Sequence, residues 1–179
     1  MSSTLSSNGV FPAPLRLLLA ALAGLALQAC QHAPPSVPAA PSASIWTVQQ
    51  AQAFRDLGFV AHGDGWELSL AASLLFEFNS EQLDLQQRAN LQRIARALSA
   101  VGIDGLRIEG HSDNVGEADY NRRLSQRRAA VVAQVLAGAG MRPDRLVVRG
   151  FGMDKPIADN ASETGRAQNR RVALIAPSS

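Results

Sequence analysis

The sequence has only one cysteine, Cys30, among its 179 residues. One cysteine cannot form a disulfide within the chain, and no Cys-x-x-Cys or Cys/His spacing of the kind found in zinc sites occurs. The three histidines, His32, His62 and His111, stand far apart, and isolated histidines are usually structural or solvated. The sequence therefore excludes a disulfide scaffold, and we expect no metal site and no cofactor.

An excess of charge of either sign is also missing. Seventeen basic and fifteen acidic residues give a formal net charge of +2 at pH 7. A nucleic-acid-binding chain would need a strong basic excess on one face, so nucleic acid is not an expected partner. Lys155 is the sole lysine, and the other basic residues are arginines, whose planar guanidinium suits carboxylate and phosphate partners.

The N-terminal region lacks an apolar run long enough to span a bilayer, for which about 20 residues are needed. The run from Leu15 to Leu27 consists of Leu, Ala and Gly, with Arg16 as its single charge. A basic residue followed by a short apolar run and small residues is typical of a secretory signal peptide. We therefore expect a signal peptide over residues 1–29, with a short buried helix as the alternative.

The end of this run, Leu27-Gln28-Ala29-Cys30, resembles the lipobox of bacterial lipoproteins. The resemblance implies that Cys30 becomes the lipidated N-terminus of the mature chain. Gln31 follows where an inner-membrane retention signal would place Asp, so the resemblance implies the outer membrane, with the folded part in the periplasm. Acyl chains would hold the protein in the inner leaflet, since each buried CH2 adds about 0.8 kcal/mol.

A tether joins the modified cysteine to the folded part. Residues 30–44 are rich in Pro, Ala and Ser, and this composition cannot bury a core. The tether would reach roughly 45 Å as a polyproline-like rod and roughly 20 Å as a flexible coil. A compact tether would keep the domain near the outer membrane, whereas an extended one would let it reach the cell wall.

The remaining sequence predicts an N-terminal helix and first strand over residues 45–73, followed by a larger domain over residues 74–179. Thr47 and Ser80 are expected to cap helices. The order βαβαβ, then a closing strand, predicts an α/β (α+β) sandwich with two long helices packed on one mixed sheet. The predicted elements are a helix at 47–57, strands at 66–70, 74–78, 106–109, 146–149 and 171–176, a long helix with Leu91, Ile94, Ala95, Leu98 and Val101 on one face, and a second long helix at 120–137.

The second long helix carries polar side chains on an apolar face. Asn121, Leu124, Arg128, Val131 and Val135 follow one another at steps of three or four residues, so all five are expected on one face. An arginine that reaches solvent, or that pairs with an acid of the domain, would explain this pattern without a ligand.

The loop at 110–116 follows a predicted strand at its carboxyl end, where α/β folds commonly place ligands. Asp113 in this loop is the natural opposite charge to Arg128. An acid and a base at one pocket would suit a zwitterion, with an ammonium for Asp113 and a carboxylate for Arg128.

Five ordered motifs cover most of residues 74–175. They are GHSDNVG at 110–116, LSQRRA at 124–129 after Asn121, RGFG at 149–152, PIADN at 156–160 and GRAQNRRV at 165–172. Together they resemble the motifs of the OmpA C-terminal domain family. Members of that family bind the diaminopimelate of the peptidoglycan stem peptide without covalent chemistry, so the resemblance implies this ligand.

The resemblance also assigns site residues. The family's paired acid and base fall on Asp113 and Arg128, and its supporting asparagine falls on Asn121. Ser112 stands where threonine is usual, and both carry a hydroxyl. The further candidates by resemblance are Asn79 at a strand end, and Asn169 and Arg170 in the NRR segment.

The segments Leu57-Gly58-Phe59, Gly65-Trp66-Glu67-Leu68 and Gly152-Met153-Asp154-Lys155-Pro156 carry a second pattern. From about Thr47 to the C-terminus the chain resembles outer-membrane lipoproteins that sequester a periplasmic repressor. In those systems the sequestration frees a diguanylate cyclase to make cyclic di-GMP, which favours biofilm growth. The resemblance implies a repressor-binding surface in the segment 45–59. Its candidate contacts are Ile45, Trp46, Phe54 and Phe59, with Trp46 and Phe54 expected to be exposed. The alternative is that these residues cover the sheet edge, since amphipathic spacing is the same in both cases.

Other classes of function fit the sequence less well. Ser112, His111 and Asp113 are adjacent in sequence, whereas a catalytic triad must converge through its side chains, and no G-x-S-x-G motif is present. We therefore expect no enzyme. A purely structural anchor between outer membrane and cell wall differs from the signalling reading only in having no repressor partner. The sequence leaves homodimer formation open.

Overall fold

The folded part of the chain is a mixed sheet with helices on one face. The computed structural model describes residues 45–63, 65–76 and 80–177. The strands are β1 (Val60–His62), β2 (Gly65–Ala71), β3 (Leu106–His111), β4 (Leu146–Gly152) and β5 (Arg171–Ala176). The helices are α1 (Val48–Asp56), α2 (Ala72–Leu75), α3 (Leu85–Ala100), α4 (Ala118–Gly138) and α5 (Glu163–Asn169), with a 3-10 turn at Pro143–Arg145.

The sheet in these residues has five strands in the order β1-β2-β5-β3-β4. β3 and β4 are parallel, whereas β5 is antiparallel to β2 and to β3, and β1 forms an antiparallel pair with β2. The predicted mixed sheet with two long helices is confirmed. The predicted signal peptide, Cys30, the predicted tether up to residue 44, and Asn79 lie outside the described residues.

Helix α1 begins with a capping box. The Gln50 backbone N–H donates to Thr47 Oγ1 at 3.2 Å, and the Thr47 N–H donates to Gln50 Oε1 at 3.0 Å. These reciprocal bonds satisfy backbone donors that a helix N-terminus otherwise leaves unpaired. The predicted cap at Thr47 is confirmed, as is the end of the helix before Gly58, which adopts a φ of 83°.

An aromatic cluster joins α1 to the sheet. The Phe54 ring is fully buried and stacks on Trp66 of β2, with ring centroids 5.2 Å apart. Trp46 and Phe59 also contact it, at 5.1 and 5.2 Å. The expected exposure of Phe54 is therefore wrong, and Phe59 is likewise buried, because the apolar side of α1 packs onto β2 and does not face solvent.

Helices α3 and α4 cover one face of the sheet. In α4 the buried side chains include Asn121, Ser125, Ala129, Val132 and Leu136. The predicted stripe is therefore displaced: Leu124, Arg128 and Val131 are only partly buried and lie on its flank. Helix α4 approaches the sheet closely at Ser125, since a Cβ at Gly110 of β3 would overlap the carbonyl oxygen of Ser125. The side of α4 that carries Ser125 is therefore the side that faces the sheet.

Two local predictions around residue 80 are wrong. Leu74 and Leu75 belong to the short helix α2 and not to a strand, and Phe76 forms an isolated bridge with Leu83. Ser80 does not cap α3; its hydroxyl accepts from the Gln82 N–H at 2.9 Å.

The N-cap of α3 is Asp84, whose carboxylate accepts from the Gln87 N–H at 2.6 Å. Ser and Asp are both strong N-cap residues. The bridge from Phe76 to Leu83 delays the helix until Asp84.

The opposite face of the sheet carries charged side chains. Because side chains alternate along a strand, Arg107, Glu109 and His111 of β3 point away from α3 and α4, while Leu106 and Ile108 enter the core. Of the helices in the described ranges, none has both the length and the apolar character needed to cross a membrane.

Candidate functional site

The loop that follows β3 holds the Asp113 carboxylate in one orientation. Its Oδ1 accepts from the Val115 N–H at 3.1 Å. The Asn121 amide of α4 donates to the Val115 carbonyl at 2.9 Å, and the Ser112 N–H donates to the Gly152 carbonyl at 2.8 Å. Asn121 and Ser112 are both buried. They therefore shape the loop around Asp113.

The carboxylate of Asp113 pairs with Arg170. Arg170 Nη1 donates to Asp113 Oδ2 at 2.6 Å, and Arg170 Nη2 donates to Glu163 Oε1 at 2.7 Å. These bonds, the one to Asp113 first, raise the pKa of Arg170. Arg170 thus bridges two acids. The sequence predicted Arg170 only as a further candidate for the site, whereas it contacts Asp113 directly.

Glu163 is a site residue that the sequence analysis missed. It lies in the first turn of α5, whose N-cap Ser162 accepts from the Gly165 N–H at 3.0 Å. Hydrogen bonds from Arg170 and Arg166 lower the pKa of Glu163. A signal was available, because Glu163 is three residues before Arg166 and seven before Arg170, which is the spacing of one helix face.

Arg128 of α4 makes a different set of contacts. Its Nη2 and Nε donate to the carbonyl of Ser80 at 3.2 and 3.4 Å, and its guanidinium lies 5.2 Å from the centre of the Phe76 ring. Among the described residues no carboxylate lies within 4 Å of it. Arg128 is therefore a half-buried cation whose partners are a backbone carbonyl and a ring.

Electrostatics connects Arg128 to the acid–base pair. Burial lowers its pKa, Glu81 and Tyr120 oppose that effect, and Arg170 and Asp113 act on it more weakly. The acid and the base expected at one pocket do not contact each other, because Asp113 pairs with Arg170 and Arg128 donates to the Ser80 carbonyl. Two guanidiniums and one buried carboxylate are the groups that a ligand with a carboxylate and an ammonium would need.

Asn169 precedes Arg170 in the sequence, and its side-chain amide makes four hydrogen bonds within the protein. Its Oδ1 accepts from the N–H groups of Ile157 and Ala158 at 2.8 and 3.1 Å. Its Nδ2 donates to the Ala158 carbonyl and to Asn160 Oδ1 at 2.8 and 2.9 Å. Asn169 is completely buried, so its observed role is to hold the loop at 157–160.

The candidate contacts near the N-terminus divide into two groups. Ile45 is 62% exposed, and Val48 at the start of α1 is 87% exposed. Trp46 is partly buried against Phe54. Of the four candidates, Ile45 thus offers an open apolar surface, Trp46 a partial one, and Phe54 and Phe59 none.

Comparison with known proteins identifies the family. A model of the OmpA family matches residues 75–170. The chain is 43% identical over 166 residues to the outer-membrane lipoprotein YfiB of Pseudomonas aeruginosa, covering 92% of this chain and 95% of that protein. This similarity confirms the predicted YfiB-type resemblance and the lipid-anchored location at the outer membrane.

Two solved structures extend the match to the fold. The peptidoglycan-associated lipoprotein of Burkholderia pseudomallei is 32% identical, with a TM-score of 0.52, over 60% of this chain and 87% of that one. The cell wall anchor of the type VI secretion system (T6SS) of Pseudomonas aeruginosa is 30% identical, with a TM-score of 0.58, over 71% and 92%. Because the family model matches more than half of the sequence and YfiB matches nearly all of it, the chain belongs to the OmpA family.

Proposed function

We propose that the domain binds the peptidoglycan stem peptide without covalent chemistry, at the carboxylate and ammonium of its diaminopimelate. The ligand carboxylate would pair with Arg128, and its ammonium with Asp113. The observation that carries this proposal is the half-buried guanidinium of Arg128, which has no carboxylate within 4 Å in the described part of the chain. A planar guanidinium in that state suits a bidentate carboxylate.

Arg170 would position the carboxylate that receives the ammonium. Its bridge from Asp113 to Glu163 fixes Asp113 Oδ2, while the Val115 N–H fixes Oδ1. A carboxylate held at both oxygens loses little freedom when a ligand arrives, and such preorganisation increases affinity. The names of the two solved relatives, one peptidoglycan-associated and one a cell wall anchor, support this reading.

Binding without catalysis is also part of the proposal. The Ser112 hydroxyl donates to the backbone carbonyl of Asp113 at 2.9 Å. The His111 ring stacks on Phe151 at 5.6 Å, and in the described residues its nitrogens have no hydrogen-bond partner. A nucleophile must hydrogen-bond to its base, and these side chains do not do so.

Pull-down with purified sacculi tests the site. Asp113→Ala and Arg128→Ala should each weaken binding by about 2–5 kcal/mol, because removing one partner leaves the ligand's opposite charge unpaired. The matched controls are Asp119→Ala and Arg123→Ala, both exposed on α4, and they should bind like the parent. Thermal melting checks that all four variants fold. Normal pull-down by both site variants would refute the assignment.

We further propose that the lipoprotein sequesters a periplasmic YfiR-like repressor, so that a diguanylate cyclase is free to make cyclic di-GMP. The similarity to YfiB over nearly the whole chain supports this. So do the exposed apolar side chains of Ile45 and Val48 before and within α1, since exposed apolar patches mark interaction surfaces. A purely structural link from outer membrane to cell wall is the alternative, and it requires no repressor.

Calorimetry with the cognate repressor, with and without muropeptide, separates the two. Val48→Glu should weaken repressor binding at least tenfold, because it places a charge in an apolar contact. Leu85→Glu is the matched control, since Leu85 is also 87% exposed but lies at the start of α3. Absence of binding at micromolar concentrations in both conditions would leave the structural anchor as the function.

A further inference from the structure

A second group of charged side chains surrounds a cavity on the sheet face opposite α3 and α4. The cavity has a volume of about 640 Å³. Residues of β2, β3 and β5 form its floor, and the segment at 155–157 lies along it. The lining residues that bear charge are Glu67, Arg107, Glu109, Lys155 and Arg171. We call it the sheet-face cavity.

Arg171 is the residue in this cavity whose charge is least compensated. It is 6% exposed, and in the described ranges no carboxylate lies within 4 Å of it. Its Nε has no hydrogen-bond partner there, and its Nη1 makes one long bond, 3.4 Å, to the Lys155 carbonyl. A buried charge without a partner is costly.

The carboxylates of the cavity do not form an ion pair with Arg171. Glu109 Oε1 lies 2.7 Å from Arg107 Nε, and its Oε2 lies 3.7 Å from Lys155 Nζ. Glu67 and Glu109 act on Arg171 only at longer range, and burial lowers the pKa of Arg171 in spite of them. Among the lining residues that the structure describes, three cationic side chains therefore face two carboxylates, an excess of one positive charge within that set.

His111 adds hydrogen-bonding capacity without charge. Burial, then Arg171, then Lys155 lower its pKa to about 3, so the ring is neutral. Neither ring nitrogen has a hydrogen-bond partner in the described residues. A neutral imidazole offers one donor and one acceptor, and Nε2 lies 3.7 Å from Glu109 Oε2.

We propose that the sheet-face cavity binds a small oxyanion, a carboxylate or a phosphate group, between Arg171 and Lys155. The volume lies in the range of roughly 300–1,000 Å³ that small-molecule sites occupy. Lys155 is about half exposed, and its Nζ lies 3.7 Å from Glu109 Oε2 and 3.7 Å from the centre of the Phe151 ring, so it would exchange these contacts for the anion. This site is distinct from the region of Asp113 and Arg128, since it lies on the other side of the sheet.

Nuclear magnetic resonance of the lipidated chain in detergent tests the proposal. The Nε–Hε signal of Arg171 is followed during titration with sodium acetate, and separately with sodium phosphate, against sodium chloride at matched ionic strength. We expect a saturable shift with at least one oxyanion and none with chloride. Saturation by acetate alone assigns a carboxylate ligand, and saturation by phosphate assigns a phosphate-bearing one.

Variants complete the test. Lys155→Gln, at a half-exposed position, should weaken oxyanion binding at least threefold and leave sacculus binding unchanged. Arg171→Gln should abolish binding where it folds, and Arg96→Gln on the exposed side of α3 should change nothing. No saturable shift in the parent chain, or the same affinity in Lys155→Gln as in the parent, would overturn the proposal.

Discussion

The two faces of the central sheet bury different kinds of side chain. The face under α3 and α4 buries aliphatic groups such as Ile108 and Leu174, whereas the opposite face buries Glu109, His111 and Arg171. Aliphatic burial stabilises a fold by about 25 cal/mol per Å², while buried charge needs partners to avoid a cost. We infer that the helix-covered face supplies stability, and that the charged face and the strand ends retain groups able to hold a ligand.

Truncation of the helix-covered face should have the largest effect. Ile108→Ala should lower the free energy of unfolding by about 2–5 kcal/mol, because the side chain is fully buried and its removal leaves a cavity. Chemical denaturation measures this change. Val147→Ala, in the edge strand β4 where the side chain is 46% exposed, should cost less than about 0.5 kcal/mol. An equal loss of unfolding free energy at both positions would contradict the inference that the helix-covered face supplies the stability.

Overfilling the same face should have the next largest effect. Gly110→Ala should lower the free energy of unfolding by about 1–3 kcal/mol, since the added methyl group would overlap the Ser125 carbonyl and push α4 from β3. Gly138→Ala at the end of α4 meets nothing within 4 Å and should be neutral or slightly stabilising. Because α4 carries Arg128, Gly110→Ala should also weaken sacculus binding, whereas Gly138→Ala should not.

The charged face should be the source of a pH dependence. The native pKa of His111, about 3, lies below the ordinary 6.5, so between these values the unfolded state binds a proton that the native state does not. Stability must then fall as pH falls through that window, by at most about 1.4 kcal/mol per pH unit. Urea unfolding between pH 7 and pH 5 measures the free energy of unfolding at each pH. For His111→Gln, this free energy should fall less steeply with falling pH than it does for the parent.

The matched control for this slope is His62→Gln, because His62 is exposed on β1. It should follow the parent at every pH. If His111→Gln has the same change of unfolding free energy with pH as the parent, His111 is not the source of the pH dependence. The inferred contrast between the two faces of the sheet would then lose this support.

Most of the fold could be predicted because its signals are local. Periodicity indicated both long helices, and the cap at Thr47 follows from neighbouring residues. The cap of α3 was misplaced because Ser80 and Asp84 have the same chemistry, and only the long-range bridge from Phe76 to Leu83 decides between them. Helix α5 was missed because seven residues are too few for an apolar period to show.

The site could be predicted only in its parts. The loop with Asp113 and the helix with Arg128 were found from strand ends and helix faces, and the family resemblance named both. The sequence predicts Arg128 as the opposite charge to Asp113, whereas the observed ion pair is with Arg170. Arg170 stands 57 residues away in the sequence, and no periodicity indicates such a contact. Phe54 was misjudged since helical spacing does not reveal which side of an amphipathic helix meets solvent.

Arg170 and Arg171 are neighbours in the sequence with opposite destinations. The first reaches Asp113 and Glu163, while the second lines the sheet-face cavity. Successive side chains at a strand point to alternate sides, so the length of the junction between α5 and β5 sets which guanidinium goes where. Inserting one residue before Arg170 would shift the register by one, so that Arg170 would take the cavity position and Arg171 the buried core position of Val172. Asp113 and Glu163 would then lose their guanidinium.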